Sequence, residues 1–297
     1  MPDTIARGLY LVATPIGNLG DITLRAIEVL KSVDRIACED TRQTQKLLNH
    51  YGITTPTISY HQHNECERAI ELVAALKEGG RLALVSDAGM PGISDPGLLL
   101  VREAIAAGVN VIPMPGANAA LSALIASGLQ TDEFRFVGFL PEKSGARRTR
   151  LEDLAAQTRQ GAETIIFYEA PHRIADTLAD LEAVFGPSLH IVVARELTKL
   201  HEEFLRGTVS ELRSRLSERE RIRGEFVLLV EAPKLPVTGA SHPGSNVTDE
   251  MISARIERME AELGIDEKEA LKRLARESGR SKSELYRELQ RERARHK

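Results

Sequence analysis

Over the first 115 residues, short runs of β-branched and aliphatic residues alternate with stretches of helical periodicity, and each run stops at a turn rich in Gly, Pro or polar residues. This alternation predicts an α/β fold with a largely parallel sheet. GLYLVAT, DRIACE, RLALVSD and NVIPMP read as strands. They end in Thr14-Pro15-Ile16-Gly17-Asn18, Glu39-Asp40-Thr41-Arg42, Asp87-Ala88-Gly89-Met90-Pro91 and Pro115-Gly116-Ala117-Asn118. Ligands of open α/β sheets bind beyond the carboxyl ends of the strands, so these four turns are expected to share one rim. Between them, Thr23 reads as an N-cap before LRAIEVL, and Asn64 opens a helix that closes at Gly79.

The 297 residues suffice for two domains of ordinary size. Residues 1–117 read as an N-terminal α/β lobe and residues 118–235 as a second one, with strands FRFVGFLP, ETIIFYE, HIVVARE and EFVLLVEAP. A ligand cleft between the lobes follows. Residues 236–247, rich in Gly, Pro and Ser, read as a linker. Residues 248–297 read as a small helical domain whose last two helices, hinged at Gly279, resemble a helix-turn-helix.

Charge and composition narrow the function. From Lys268 onward 11 Lys and Arg stand against 5 Asp and Glu, so this tail carries +6 while residues 1–267 carry −10. Such a gradient suits a polyanionic partner held at one end, and equally a solvated amphipathic helix. Aromatics are only 4% of the chain and Trp is absent, which disfavours RNA readers built on paired aromatics. Cys38 and Cys66 form no CxxC pair or zinc pattern. The N-terminus lacks a signal-peptide core, and no apolar run reaches the ~18 residues that span a bilayer, so a soluble, cytoplasmic protein is expected.

No G-x-x-x-x-G-K-[ST], G-x-G-x-x-G or G-x-S-x-G occurs at the strand ends, which disfavours P-loop, dinucleotide-binding and serine-hydrolase sites. The segment SDAGMPGISDPG, residues 86–97, is instead dense in Gly, Pro and Asp. Gly lets a backbone approach a ligand closely and Pro stiffens the loop; a tight connection packed under a helix is the alternative, although ~2 to 6 residues usually suffice for that. PGANAA opens a helix of small residues, which fits either ligand approach or helix–sheet packing.

In order along the chain, TPIGNLGDITLRA, CEDTR, YHQHNE, SDAGMPGISDPG, PGANAALSALIASGL, GFLPEKSGARR, FYEAPHR and ARELTKLHEE resemble the successive motifs of the ribosomal RNA small subunit methyltransferase I family. These are 16S rRNA cytidine 2′-O-methyltransferases within the tetrapyrrole-methylase-like, class III enzymes. The resemblance spans about residues 7–232, and the tail resembles the family's C-terminal helical domain. It implies a homodimer of two-lobed subunits, with S-adenosyl-L-methionine held between the lobes. Carried over motif by motif, the donor would meet Pro15, Gly17, Asp87, Ala88, Gly89, Ile93, Ser94 and Asp95 from the first lobe. Tyr168, Glu169, Ala194, Arg195 and the backbone near Glu225 would close over it.

Methyl transfer from a sulfonium needs an in-line approach and help in removing the acceptor proton, and it asks for neither a metal nor a covalent nucleophile. Candidate polar groups are Glu39, Asp40, Arg42, His61, His63, Glu169, His172, Arg173, Glu196 and Lys199. Asp40, Glu196 and Lys199 are assigned to the acceptor as the catalytic cluster, with Arg42 and Arg173 gripping phosphate through planar forks. Capping and ion pairing around the following helix is the competing reading of Glu39, Asp40 and Arg42. In HQHNEC, His63 and Asn64 read as RNA or active-site contacts, or as helix capping, in preference to a metal site. Lys143, Arg147, Arg148 and Arg150 could track a phosphate backbone, or form a solvated helix face. The tail's Arg280, Lys282, Arg287, Arg291 and Arg293 are the second candidate for docking 16S rRNA in the small subunit. Two other readings remain: a small-molecule methylase on the same fold, and a nucleic-acid-binding regulator whose lobes sense a ligand.

Overall fold

The computed structural model describes residues 5–157, 163–231 and 266–278 together with Ile256, Leu285, Tyr286 and Leu289. The chain divides into two compact units, Met1–Leu235 and Pro236–Lys297.

The first unit holds two five-stranded sheets. In the first, β1 (Gly8–Val12), β2 (Arg35–Cys38), β3 (Thr57–Ser59), β4 (Arg81–Val85) and β5 (Val111–Met114) lie in the order β3-β2-β4-β1-β5. Every pairing is parallel. Parallel strands covered on both faces read as continuous apolar runs, as RLALV does. Alternate residues reach opposite layers. Tyr10, Val12, Ile36, Cys38, Ala83 and Val85 pack with α1 (Leu24–Ser32) and α2 (Thr41–His50). On the other face Leu9, Ala37, Leu82 and Leu84 meet α3 (Glu65–Lys77) and α4 (Leu98–Ala106). After β1 the chain passes β4 to reach β2, whereas after β4 it passes β1 to reach β5. Neighbouring β1 and β4 therefore send their connections in opposite directions, which opens a crevice at their carboxyl ends.

The second sheet comprises β6 (Phe134–Phe139), β7 (Thr164–Glu169), β8 (His190–Arg195), β9 (Glu203–Thr208) and β10 (Phe226–Glu231), in the order β6-β7-β10-β8-β9. Only β6 and β7 run parallel. One face packs on α6 (Ser144–Gln157), α7 (Ile174–Phe185) and α8 (Val209–Ser217). The other carries α5 (Ala119–Ser127), whose Ala120, Ala123 and Leu124 lie against Ile166, Val192, Val227 and Leu229. β3 and β9 carry little strand signal in the sequence: TIS is too short to show alternation, and EFLRGT interrupts its apolar residues with Arg and Gly.

In the second unit α9 (Glu267–Ser278) buries Ala270, Leu271 and Leu274 with Ile256, Leu285 and Leu289. The linker at 236–247 and Arg280, Lys282, Arg287, Arg291 and Arg293 lie outside the described residues.

Arg147 is not a phosphate contact. It turns inward from α6, with Nε 2.7 Å from Asp180 Oδ2 and Nη1 donating to the Glu142 carbonyl at 3.0 Å. Both side chains of the pair are only 3% exposed. Burial alone would raise the Asp180 carboxyl, yet hydrogen bonds from Arg148, Arg147 and Ser144 together hold it below the usual range. The pair's contribution is thus complete above the unfolded-state value of about 4 and is lost as pH falls through the lower folded value. Arg147→Ala would leave Asp180 with Arg148 and Ser144 but without its buried partner at Oδ2, so it should lower stability by about 1–3 kcal/mol. Urea unfolding at pH 7 checks this, with Lys143→Ala, at an exposed position, expected to stay near the parent.

Candidate functional site

The two turns at the crevice are joined directly. Thr14 and Gly89 exchange backbone hydrogen bonds of 2.9 and 3.0 Å, and Thr14 Oγ1 donates to the Ser86 carbonyl at 3.0 Å. Gly89 holds φ +84°, where a side chain would be strained. Ser94 takes φ +62° without being glycine, a strain of order 1 kcal/mol that functional loops commonly store. A Cβ on Gly138 would sit 3.1 Å from Ser94 Oγ, so the 86–97 loop lies directly against β6 of the second sheet.

Between the sheets this loop bounds a cavity of about 320 Å³, within the range of small-molecule sites. Asp87, Ala88, Gly89, Ile93, Ser94 and Asp95 line it from the loop, together with Met90. Ile16 enters from the first turn, and Asn118 and Ala119 from the start of α5. The second sheet supplies Phe139, Tyr168 to Pro171, Leu197 and Glu225 to Val227. The Tyr168 ring lies edge-on to Phe136 at 4.9 Å and to Phe139 at 5.8 Å.

Electrostatically the loop side is acidic. Burial, then the charges of Glu39 and Asp87, push the Asp95 carboxyl up to about 6, against a hydrogen bond with Ser86. Burial also raises Glu39, with Asp87 adding to the effect. A half-buried carboxylate facing like charges is a site prepared for a cation.

The ARELTK motif forms a latch. Glu196 and Thr198 both take positive φ, +51° and +65°, which folds the loop back on itself. Lys199 Nζ then reaches Glu196 Oε1 at 2.8 Å and Glu225 Oε2 at 3.0 Å. Although burial pulls the other way, these two carboxylates hold the Lys199 ammonium above its ordinary value. The Asn18 N–H donates to Thr198 Oγ1 at 3.1 Å, which ties the first turn to this loop. A Cβ on Gly17 would stand 2.4 Å from Lys199 Cγ. Gly17 therefore serves the approach of the lobes and does not line the cavity.

Other expected site residues also fall elsewhere. Pro15 lies beside the cavity without lining it, and Ala194 is wholly buried in the core of the second sheet. Arg195 is spent on the Arg223 carbonyl, 2.6 Å from its Nε, and on Glu203. Glu169, by contrast, lines the cavity from the end of its strand, and its carboxylate accepts from Thr177 Oγ1 at 2.6 Å and from the Ala170 N–H at 2.9 Å. Asp40 caps α2 by accepting from the Arg42 N–H at 2.8 Å, and its carboxyl is lowered mainly by the Arg42 guanidinium. That corrects its assignment as a catalytic group, since both oxygens are engaged and it does not line the cavity. Arg173 is corrected too. Its Nη2 donates to the Leu140 carbonyl at 2.6 Å and its Nε pairs with Glu169 at 3.1 Å, so it braces the second sheet.

Asn64 accepts from the His61 N–H and donates to the Ser59 carbonyl, which spends its amide on the turn. His63, Lys143 and Arg148 are exposed and Arg150 is half-buried, with Arg148 Nε held by Asp180 at 2.6 Å. Among the described residues, no group of three or more His, Cys, Asp or Glu side chains is placed to hold a metal.

Comparison with known proteins bears on the family and the fold. The family model for tetrapyrrole (corrin/porphyrin) methylases matches residues 8–213. The ribosomal RNA small subunit methyltransferase I of Halalkalibacterium halodurans is 50% identical over 280 residues, covering 94% of this chain and 93% of that protein. Its namesake from Synechocystis is 49% identical over 94% of this chain and 95% of that protein. Among solved structures, diphthine synthase superposes with a TM-score of 0.57 at 14% identity, covering 75% of this chain and 89% of that one. Uroporphyrin-III-C-methyltransferase from Thermus thermophilus gives 0.52 at 20% identity, covering 75% and 94%. At such identities these two show the fold.

The latch is open to a direct test. Gly17→Ala should displace Lys199 and Thr198 and lower stability by about 1–3 kcal/mol, as overpacking does. Thermal melts check this, with Gly145→Ala in α6, where a Cβ meets nothing within 4 Å and Ala is the better helix former, expected to melt no lower than the parent.

Proposed function

The chain belongs to the tetrapyrrole (corrin/porphyrin) methylases and, within them, to the ribosomal RNA small subunit methyltransferase I family, and from that premise we propose that it transfers a methyl group from S-adenosyl-L-methionine to the ribose 2′-hydroxyl of a cytidine in 16S rRNA. The observation that carries this reading is the cavity at the strand crossover, where Asp87 and Asp95 of the loop face a lining that includes Ile16, Phe139 and Leu197.

The residues fit the donor. Asp87 and Asp95 face a cavity suited to positive charge, Gly89 leaves the backbone accessible, and Ile16, Met90, Phe139 and Leu197 offer apolar surface. When bound, the donor supplies an electrophilic methyl on a sulfonium whose thioether leaves without further activation. The chain's task is to orient the hydroxyl and remove its proton. Lys199 acts as a cation, because its two carboxylate partners keep it protonated at neutral pH. It bridges Glu196 and Glu225, of which Glu225 lines the cavity.

The RNA acceptor is served by the exposed Lys143 and Arg148 with Arg150 and His63, and by the basic tail. The partner is 16S rRNA within the small ribosomal subunit, and the working form is a homodimer. Two helices support the homodimer by leaving apolar residues uncovered at helical spacing: Leu98 and Ile105 on α4, and Leu121 and Ile125 on α5. Among the described residues no helix is long and apolar enough to cross a membrane. A cytoplasmic location is the setting this substrate implies.

Incubating the purified chain with methyl-labelled donor and small subunits from cells lacking the gene, followed by nucleoside mass spectrometry, should yield 2′-O-methylcytidine; absence of label would refute the reading. The pH profile adds a second expectation. Asp95 is ionised only above about 6, so donor affinity should fall as pH drops through that value and level off above it. Asp95→Asn should abolish this dependence and most turnover. An ionised Asp95 burdens the fold above pH 6, since its folded value is raised, so this variant should melt no lower than the parent at pH 8. Calorimetric titration from pH 5 to 8 checks the affinity, and a pH-independent parent would exclude Asp95 from donor binding.

A further inference from the structure

Away from the cavity, an open groove of about 480 Å³ runs along the exposed side of α2. It is lined by Thr41, Arg42, Gln45, Lys46, Asn49 and, from the edge strand β3, Thr57. All six are polar and two are cationic, and no carboxylate is among them. The local sequence departs sharply from its surroundings: residues 41–64 contain no Asp or Glu, although residues 1–267 carry a net −10. Anionic residues are thus absent where the rest of the unit would place several.

The donors are pre-arranged. Asp40 clamps the Arg42 guanidinium through Nε at 3.2 Å and Nη2 at 3.0 Å, while the side chain stays 88% exposed. Gln45 donates to Asn49 Oδ1 at 2.8 Å and Lys46 to Gln43 Oε1 at 2.9 Å, contacts that leave the Lys46 charge unneutralised. A planar guanidinium beside an ammonium and two carboxamides suits phosphate oxygens and ribose hydroxyls. The groove lies near the cavity, since Asp40, next in sequence to Thr41, donates its N–H to Asp87 Oδ1 at 3.2 Å and Asp87 lines the cavity. From Thr41 to Asn49 the helix rises about 12 Å, room for roughly three phosphates of a stacked strand.

We infer that this α2 groove is a binding track for the sugar–phosphate backbone of the RNA strand next to the methylated nucleotide, with Lys46 as its principal phosphate contact and the Asp40-paired Arg42 beside it. The inference rests on the function proposed above, for which RNA is the acceptor. It adds a surface on the first lobe, opposite in sign to the cavity it adjoins. The acidic cavity would repel a polyanion, and a neighbouring cationic track holds the strand at the entrance.

The test measures binding of a fluorescently labelled 16S rRNA transcript to the full chain by anisotropy, and methyl transfer to the same transcript and to small subunits. Lys46→Glu should weaken RNA binding by about tenfold or more at moderate salt, and Lys46→Ala should reduce the log–log salt slope by about 1. Lys31→Glu makes the same charge change at an exposed position outside the groove and should shift affinity less than about twofold. Donor affinity, read by calorimetry, should be unchanged in all three. If Lys46→Glu binds RNA as well as Lys31→Glu does, or if the parent chain does not bind the transcript, the track is refuted. If the parent binds RNA in a Lys46-dependent way yet transfers no methyl group, the track stands and the proposed reaction fails.

Discussion

Docking of the first turn against the second lobe is the interaction on which the site depends. A parallel sheet with crossovers on both faces opens its crevice wherever neighbouring strands part company, here between β1 and β4. That crevice becomes a cavity because a second sheet faces it. Ile16 packs into the apolar cluster around α5, Asn18 bonds to Thr198, and Gly17 leaves room for the Lys199 stem. The small residues of PGANAA allow α5 to press on the second sheet while its first turn still lines the cavity. Glycines, small residues and two left-handed residues in ELTK therefore serve one end, the close approach of two rigid layers.

The electrostatic layout follows from a conflict of charge. A sulfonium donor calls for anionic surroundings, whereas an RNA acceptor repels them. The chain separates the two demands in space. Glu39, Asp87 and Asp95 gather at the carboxyl ends of β2 and β4. Beyond the cap of α2 the sequence is free of carboxylates for 24 residues. Two further carboxylates are neutralised within the fold, Asp180 by Arg147 and Arg148 and Glu203 by Arg219 and Arg195.

Much of this was legible in the sequence. The core strands of the first sheet announce themselves because burial on both faces demands unbroken apolar runs, and their Gly- and Pro-rich ends mark the rim. The 86–97 loop stands out because no simple connection needs so many Gly, Pro and Asp residues. Cations were harder to place. Arg147 and Arg148 are adjacent in sequence, yet one turns into the core and the other toward solvent, a distinction set by the position of Asp180 on a different helix. Arg173 and Asp40 look like site residues by composition, and structure spends them on a carbonyl, an ion pair and a helix cap. The apolar half of the cavity, Ile16, Met90, Phe139, Leu197 and Phe226, carried no signal, since an apolar side chain lining a ligand resembles one lining a core. Leu197 in particular reaches the cavity through the backbone reversal at Glu196 and Thr198, which no residue type there advertises.

The proposed donor site draws on both lobes at the strand crossover. A crystal structure with S-adenosylhomocysteine, the demethylated donor, tests it most directly. Density touching the 86–97 loop on one side and Tyr168 to Pro171 or Glu225 to Val227 on the other is the expected result. A ligand bound outside this cavity, or held by one lobe alone, would contradict it.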